Sequence, residues 1–279
     1  MSEWFIAANE IHRRYDDYGV IQVFDDGNKR YLSFGTADEQ SCLLKHQPIQ
    51  LQHEYSRAML ASLLLFTEQP PQQISLLGLG GGLLTSAIHR LLPDAQINVV
   101  ELRAAVLQVA RQYFALPRND HLNVNIADAG VWLAQAPANA ADWLLSDLFL
   151  ADGLDQQQLQ ENFLDHCHQH LAPGGWLVLN LWREHRDQAI WLWKLKQRFP
   201  ITRHATTKDG NWILWAQKPP QAASTVPAAK QAQVQAKRWS AELGFNLWRA
   251  GRPFFRDKSY NKERQYSHLL LGNLMSDKD

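Results

Sequence analysis

The chain has 279 residues and is 46% apolar, enough at about 100–200 residues per domain for one or two domains with a buried core. Its 28 basic residues cancel 28 acidic ones, so no global field draws it toward nucleic acid or anionic lipid. Two cysteines exclude a disulfide framework, and the first residues lack the basic start and apolar run of a secretory signal. The most apolar stretch, residues 59–66, is far shorter than the roughly 20 residues a membrane helix needs. These features together predict a cytoplasmic globular protein.

Two alternating runs flank Asp25-Asp26-Gly27-Asn28, and the Asp-Gly and Gly-Asn pairs supply the positive φ of a tight hairpin. Strands are expected over 19–24 and 29–34. Residues 53–66 place Tyr55, Met59 and Leu63 at helical spacing, and Pro70-Pro71 ends that helix. These pieces make up a first segment, residues 1–69.

From Gln72 the pattern changes to short continuous apolar runs alternating with helical stretches. Strands are expected at 73–78, 97–101, 122–126, 142–147, 176–182, 201–206 and 211–217, with a late helix near 186–198. Such alternation predicts an α/β unit, a mostly parallel sheet of seven strands covered on both faces, over residues 70–218. Residues 219–279 are Pro-punctuated, polar and basic, with ten Lys/Arg against five Asp/Glu. They read as a linker and a helix near 228–249, a docked or solvated extension rather than a nucleic-acid arm.

Gly78-Leu79-Gly80-Gly81-Gly82 follows the first strand of this unit and opens a helix. Glycines there permit a sharp turn and let a ligand approach bare backbone. The spacing is neither GxGxxG nor a phosphate loop, which disfavours a dinucleotide or triphosphate. Glu101, ending the second strand, suits the two hydroxyls of a ribose, and Asp128-Ala129, closing the third, suits an adenine amine. Together they predict an adenosine-type ligand without pyrophosphate: S-adenosylmethionine or a relative. Asp147 ends the fourth strand beside the place of the ligand's sulfonium, where an acid takes a proton from an attacking amine or holds it; Asp152 follows in the same loop.

The phrases HEYSRAML, ISLLGLGGGLLTSAIHRLLPDAQINVVEL, FALPRND, DLFLADGL and LAPGGWLVLNLW together resemble the spermidine synthase-like proteins of bacteria. The resemblance runs over residues 18–218 and stops before the tail. It implies a small N-terminal β domain on a Rossmann-like methyltransferase-type domain, commonly as a homodimer. It also implies that Glu101 binds ribose, Asp128-Ala129 the adenine side, Asp147 the reacting amine, and Gln40 and Tyr55 the substrate side.

One departure bears on the donor. Aminopropyltransferases carry an acid inside the glycine loop that grips the amine of decarboxylated S-adenosylmethionine; here that position is Gly81. Losing such a contact costs roughly 1.5–3 kcal/mol, while bare glycine amides accept the carboxylate of ordinary S-adenosylmethionine. Residues 148–153 are largely apolar, and no Asp-Pro phrase follows Asp147. The expectation is methyl transfer to a small amine or hydroxyl acceptor. The alternatives are aminopropyl transfer from the decarboxylated donor and a nucleoside-binding protein without chemistry.

Other signals carry less. His166 and His170 are four apart on one helix, but no third ligand stands at a recognisable spacing, so no metal is expected. Arg249, Arg252, Phe254, Phe255, Arg256, Lys258 and Tyr260 interleave basic and aromatic residues, a pattern that suits RNA stacking or docking onto the chain's own domain. Docking is the reading adopted.

Overall fold

The structure, a computed structural model, describes residues 8–36, 39–151, 153–220 and 227–256. Its N-terminal sheet is larger than one hairpin. Strands β1 (Asn9–Asp16), β2 (Gly19–Asp25), β3 (Lys29–Ser33) and β4 (Ser41–Leu44) form an antiparallel sheet in that order. Strands β1 and β4 escape a pattern reading for opposite reasons. The first is exposed along nearly its whole length, and the second is too short to show alternation.

The helix expected over 53–66 is α1 (Glu54–Leu60) followed by a 3-10 turn over Ala61–Leu65. Every residue of that turn is buried, so packing rather than helical propensity sets its winding.

The seven-stranded sheet is built from β5 (Gln73–Leu77), β6 (Gln96–Glu101), β7 (Leu122–Ile126), β8 (Ala141–Ser146), β11 (Leu171–Trp182), β12 (Ile201–Thr206) and β13 (Asn211–Gln217). A two-residue ladder, β9 (Phe149–Leu150) with β10 (Gly153–Leu154), lies between β8 and β11 in the chain. The sheet order is β12-β13-β11-β8-β5-β6-β7. Four neighbouring pairs run parallel, and β13 runs antiparallel to both β11 and β12. The chain leaves the middle of the sheet at β5 and returns on its other side at β8. The carboxyl ends of these two strands flank the topological switch point, where open α/β sheets bind ligands.

Helices α2 (Leu83–Leu91), α3 (Ala104–Tyr113), α4 (Ala129–Gln135), α5 (Glu161–His170) and α6 (Ala189–Arg198) connect the strands. Strand β11 starts at Leu171, earlier than the apolar run, because its pairing with β8 slips between Leu171 and Trp176 around Pro173-Gly174-Gly175.

The tail helix divides into α7 (Ala229–Leu243) and α8 (Leu247–Phe255) at Gly244, whose φ of +69° ends the first helix. Both belong to the main core. Phe254 stacks on Trp215 of β13 with ring centroids 3.7 Å apart and planes 2° from parallel. Gly251 lies so close to α1's 3-10 extension that an added Cβ would stand 2.9 Å from Leu64. Of the interleaved basic and aromatic residues, Phe254 is therefore no platform for a base, and Lys258 and Tyr260 lie outside the described residues. His170, instead of facing a metal, holds Ser75 Oγ at 3.0 Å and the Pro137 carbonyl at 2.9 Å inside the fold.

Candidate active site

A cavity of about 630 Å³ opens at the carboxyl ends of β5, β6, β7 and β8, a size typical of sites for ligands of nucleoside scale. Gly78, Leu79 and Gly80 form its floor. Gly78 has φ +92°, and an added Cβ would come within 2.3 Å of the Asp147 carbonyl oxygen, so only glycine passes between β5 and the end of β8. Gly81 and Gly82 turn the other way. The Gly81 amide donates to Ser41 Oγ of β4 at 2.8 Å, and Gly82, at φ +73°, starts α2.

Glu101 is buried at the end of β6. Its Oε2 accepts from the Leu79 amide at 3.0 Å and its Oε1 from the Arg103 amide at 2.8 Å. Burial pushes its carboxyl upward, and those amides pull it back. The Gly80 amide adds a third, weaker pull, and the acceptor capacity left on the carboxylate suits a ribose hydroxyl. Asp128 caps α4 through Val131, 2.9 Å from its Oδ1, while Oδ2 receives Gln157 Nε2 at 3.3 Å. Asp128 and Ala129 both line the cavity, so the cap also presents a carboxylate edge to a ligand.

Asp147 stands across the turn. Asn180 Nδ2 donates to its Oδ1 at 2.8 Å, and desolvation still raises its carboxyl to about 6. Tyr55, from α1, lines the same space, its phenol pushed far up by burial and then by Asp147 and Glu39. Gln40 lines it too. Asp152 lies outside the described residues.

The acceptor end holds more acids than the apolar stretch 148–153 suggests from the sequence. Glu39, Asp155 and Asp209 face the cavity along with Asp147. Glu39 and Asp209 escaped the sequence reading because they come from loops remote from the ends of β5 to β8, and Asp155 because it stands beyond β10 rather than directly at the end of β8. His53 lies beside Glu39, its Nδ1 3.6 Å from Oε1, and burial lowers its ring to about 4, which keeps it neutral at pH 7. The one signal for Asn180 was a polar residue inside an otherwise apolar strand run. Among the described residues lining the cavity, the only Lys or Arg is Arg103, whose guanidinium pairs with Asp16 of β1 at 2.7 Å.

The description "Methyltransferase small domain" matches residues 56–214, more than half of the chain. The chain belongs to this family. The sequence is 32% identical over 168 residues to the polyamine aminopropyltransferase of Neisseria meningitidis serogroup A, covering 58% of this chain and 61% of that relative. A probable spermidine synthase from Corynebacterium glutamicum superposes with a TM-score of 0.67 at 21% identity, over 90% of this chain and 96% of that one. Human methyltransferase-like protein 13, solved in complex with SAH, superposes with a TM-score of 0.56 at 25% identity, over 77% of this chain and 100% of that one. The chain thus spans less than two thirds of the first curated relative it matches. It is a spermidine synthase-like member of the S-adenosylmethionine methyltransferase fold, with relatives named for both aminopropyl and methyl transfer.

Proposed function

We propose that this family member is a transferase that passes a methyl group from S-adenosylmethionine to a small amine. The residues fit such a donor: the buried Glu101 carboxylate stands at the ribose position, Asp128 lines the adenine side, and bare backbone forms the floor. Bound there, S-adenosylmethionine supplies a methyl carbon made electrophilic by the adjoining sulfonium. Asp147 Oδ2 takes no hydrogen bond from a described residue, so it holds the acceptor nitrogen and receives its proton as the N–C bond forms and the C–S bond breaks. Tyr55 and Phe149 wall the same end and limit water there. Holding the acceptor in line contributes up to about 7–11 kcal/mol of the barrier reduction.

One observation carries methyl over aminopropyl transfer. The turn from Gly78 to Gly82 holds no acid to grip a donor amine, and a side chain at Gly81 would be crowded by Ser41 Cβ at 2.9 Å and Phe114 Cδ1 at 3.0 Å. The cluster of Glu39, Asp147, Asp155 and Asp209 favours a second reading, aminopropyl transfer to a polycationic acceptor. Titration calorimetry with S-adenosylmethionine and its decarboxylated form decides between them. Tighter binding of the intact donor is expected, and the reverse order overturns the assignment. Asp147→Asn should abolish turnover of amines while sparing donor affinity; retained turnover removes its role.

A further inference from the structure

Asp147 is joined to the far side of the sheet by two buried amides. Asn180, on β11, is fully buried, and Asn211, which opens β13, is nearly so. Asn211 Nδ2 donates to Asn180 Oδ1 at 3.0 Å, and Asn180 Nδ2 donates to Asp147 Oδ1 at 2.8 Å. Strands β8, β11 and β13 are neighbours in the sheet, so each side chain reaches the next across one interstrand step.

The chain has a direction. A carboxylate only accepts, so an ionised Asp147 requires the NH2 of Asn180. That orientation turns Asn180 Oδ1 toward β13, where a donor must meet it or leave a buried oxygen unpaired. Asn211 supplies that donor. Its own place is set by the β12–β13 turn, where its amide donates to Thr207 Oγ1 at 3.1 Å and its carbonyl accepts from the Thr207 amide at 2.9 Å.

We propose that Asn180 and Asn211 act together as positioning residues, Asn211 fixing the orientation of the Asn180 amide so that Asp147 stays a carboxylate with Oδ2 free for the acceptor. The cavity offers little else for that task. The titratable groups sharing it with Asp147 are Tyr55 from α1, Glu39 and His53 from the segments flanking β4, Glu101 and Arg103 at the end of β6, Asp128 at the start of α4, and Asp155 and Asp209 from loops beyond β10 and β12; the cation among them, Arg103, is paired with Asp16. The acids among them oppose a further negative charge, and His53 is neutral. Two aligned amides in a low-dielectric wall polarise one another and so act as more than one donor.

This inference refines the role given to Asp147 above, and its test needs neither donor nor acceptor. The side-chain carboxyl carbon of Asp147, assigned by its disappearance in Asp147→Asn, is titrated by NMR in the full-length protein. In wild type the midpoint is expected near 6. Asn180→Ala should lower the acid dissociation constant roughly tenfold, and Asn211→Ala, whose side chain donates to Asn180 rather than to Asp147, about two- to threefold in the same direction. The double variant should match Asn180→Ala alone, because Asn211 acts through Asn180. Should Asn180→Ala not fold, Asn180→Ser paired with Asn211→Ala repeats the cycle. An unchanged midpoint in Asn211→Ala, or additive effects in the double variant, overturns the relay. A confirmed relay alongside full turnover in Asp147→Asn would sink the functional reading and leave this one standing.

Discussion

The Gly81 amide donates to the Ser41 hydroxyl across 2.8 Å, fastening β4 of the small sheet to the glycine turn of the large one. The hydroxyl occupies space that a side chain on residue 81 would need, with its Oγ 3.0 Å from the place of a Cβ. Gly81→Ala should therefore cost about 1–3 kcal/mol through overpacking against Ser41 and Phe114. Urea unfolding measures it. Gly81→Asp should lose at least as much without gaining affinity for the decarboxylated donor, and a gain would show that the turn yields more easily than its packing implies.

Asp147 makes stability and activity depend on pH in opposite senses. Its carboxyl is raised to about 6 from an ordinary 3.8, so the folded state holds a proton that the unfolded state has released between those values. Stability then falls as pH rises through that window and stays lower above it. Asp147→Asn should melt higher than wild type at pH 8, by on the order of 2 kcal/mol, and lose that advantage near pH 4. Wild-type turnover should rise through pH 6, where the carboxylate forms. Thermal melts and a pH–rate profile read the two limbs.

Glu101 is held by backbone donors, chiefly the amides of Leu79 and Arg103. Glu101→Gln places an NH2 against one of these N–H groups and removes a ribose acceptor. Donor affinity measured by calorimetry should fall tenfold or more, the equivalent of about 1.4 kcal/mol. Unchanged affinity would move the ribose elsewhere.

Arg103 joins the two sheets. Its guanidinium reaches Asp16 at 2.7 Å and the Gly19 carbonyl at 2.9 Å, with its centre 4.7 Å from the Phe34 ring. Arg103→Ala leaves the part-exposed Asp16 with only the Tyr18 amide as a donor and should cost about 1–3 kcal/mol. Hydrogen exchange should localise the loosening to β1 and β2.

Phe254→Ala removes the ring stacked on Trp215 and should cost about 3–5 kcal/mol, as a core residue would. A value below about 1 kcal/mol would make the tail a loose covering instead.

The alternation of apolar runs with helical stretches was enough to place all seven strands of the large sheet, with 122–126, 201–206 and 211–217 matching to the residue. Continuous burial on both faces leaves a local trace in composition, and so does a glycine turn between strand and helix. Those two signals, with acids at successive strand ends, located Glu101, Asp128 and Asp147 on one cavity. Strand β1 left no such trace, because it is stabilised by pairing with β2 rather than by burying its side chains. Tertiary structure alone decided the rest of the site. Glu39, His53, Asp209 and the Asn180–Asn211 pair meet only because loops and strands far apart in the chain converge at the open end of the sheet. Local pattern reports which face of an element is buried; it carries no record of which distant side chain will stand opposite, and the chemistry of the acceptor end depends on that pairing.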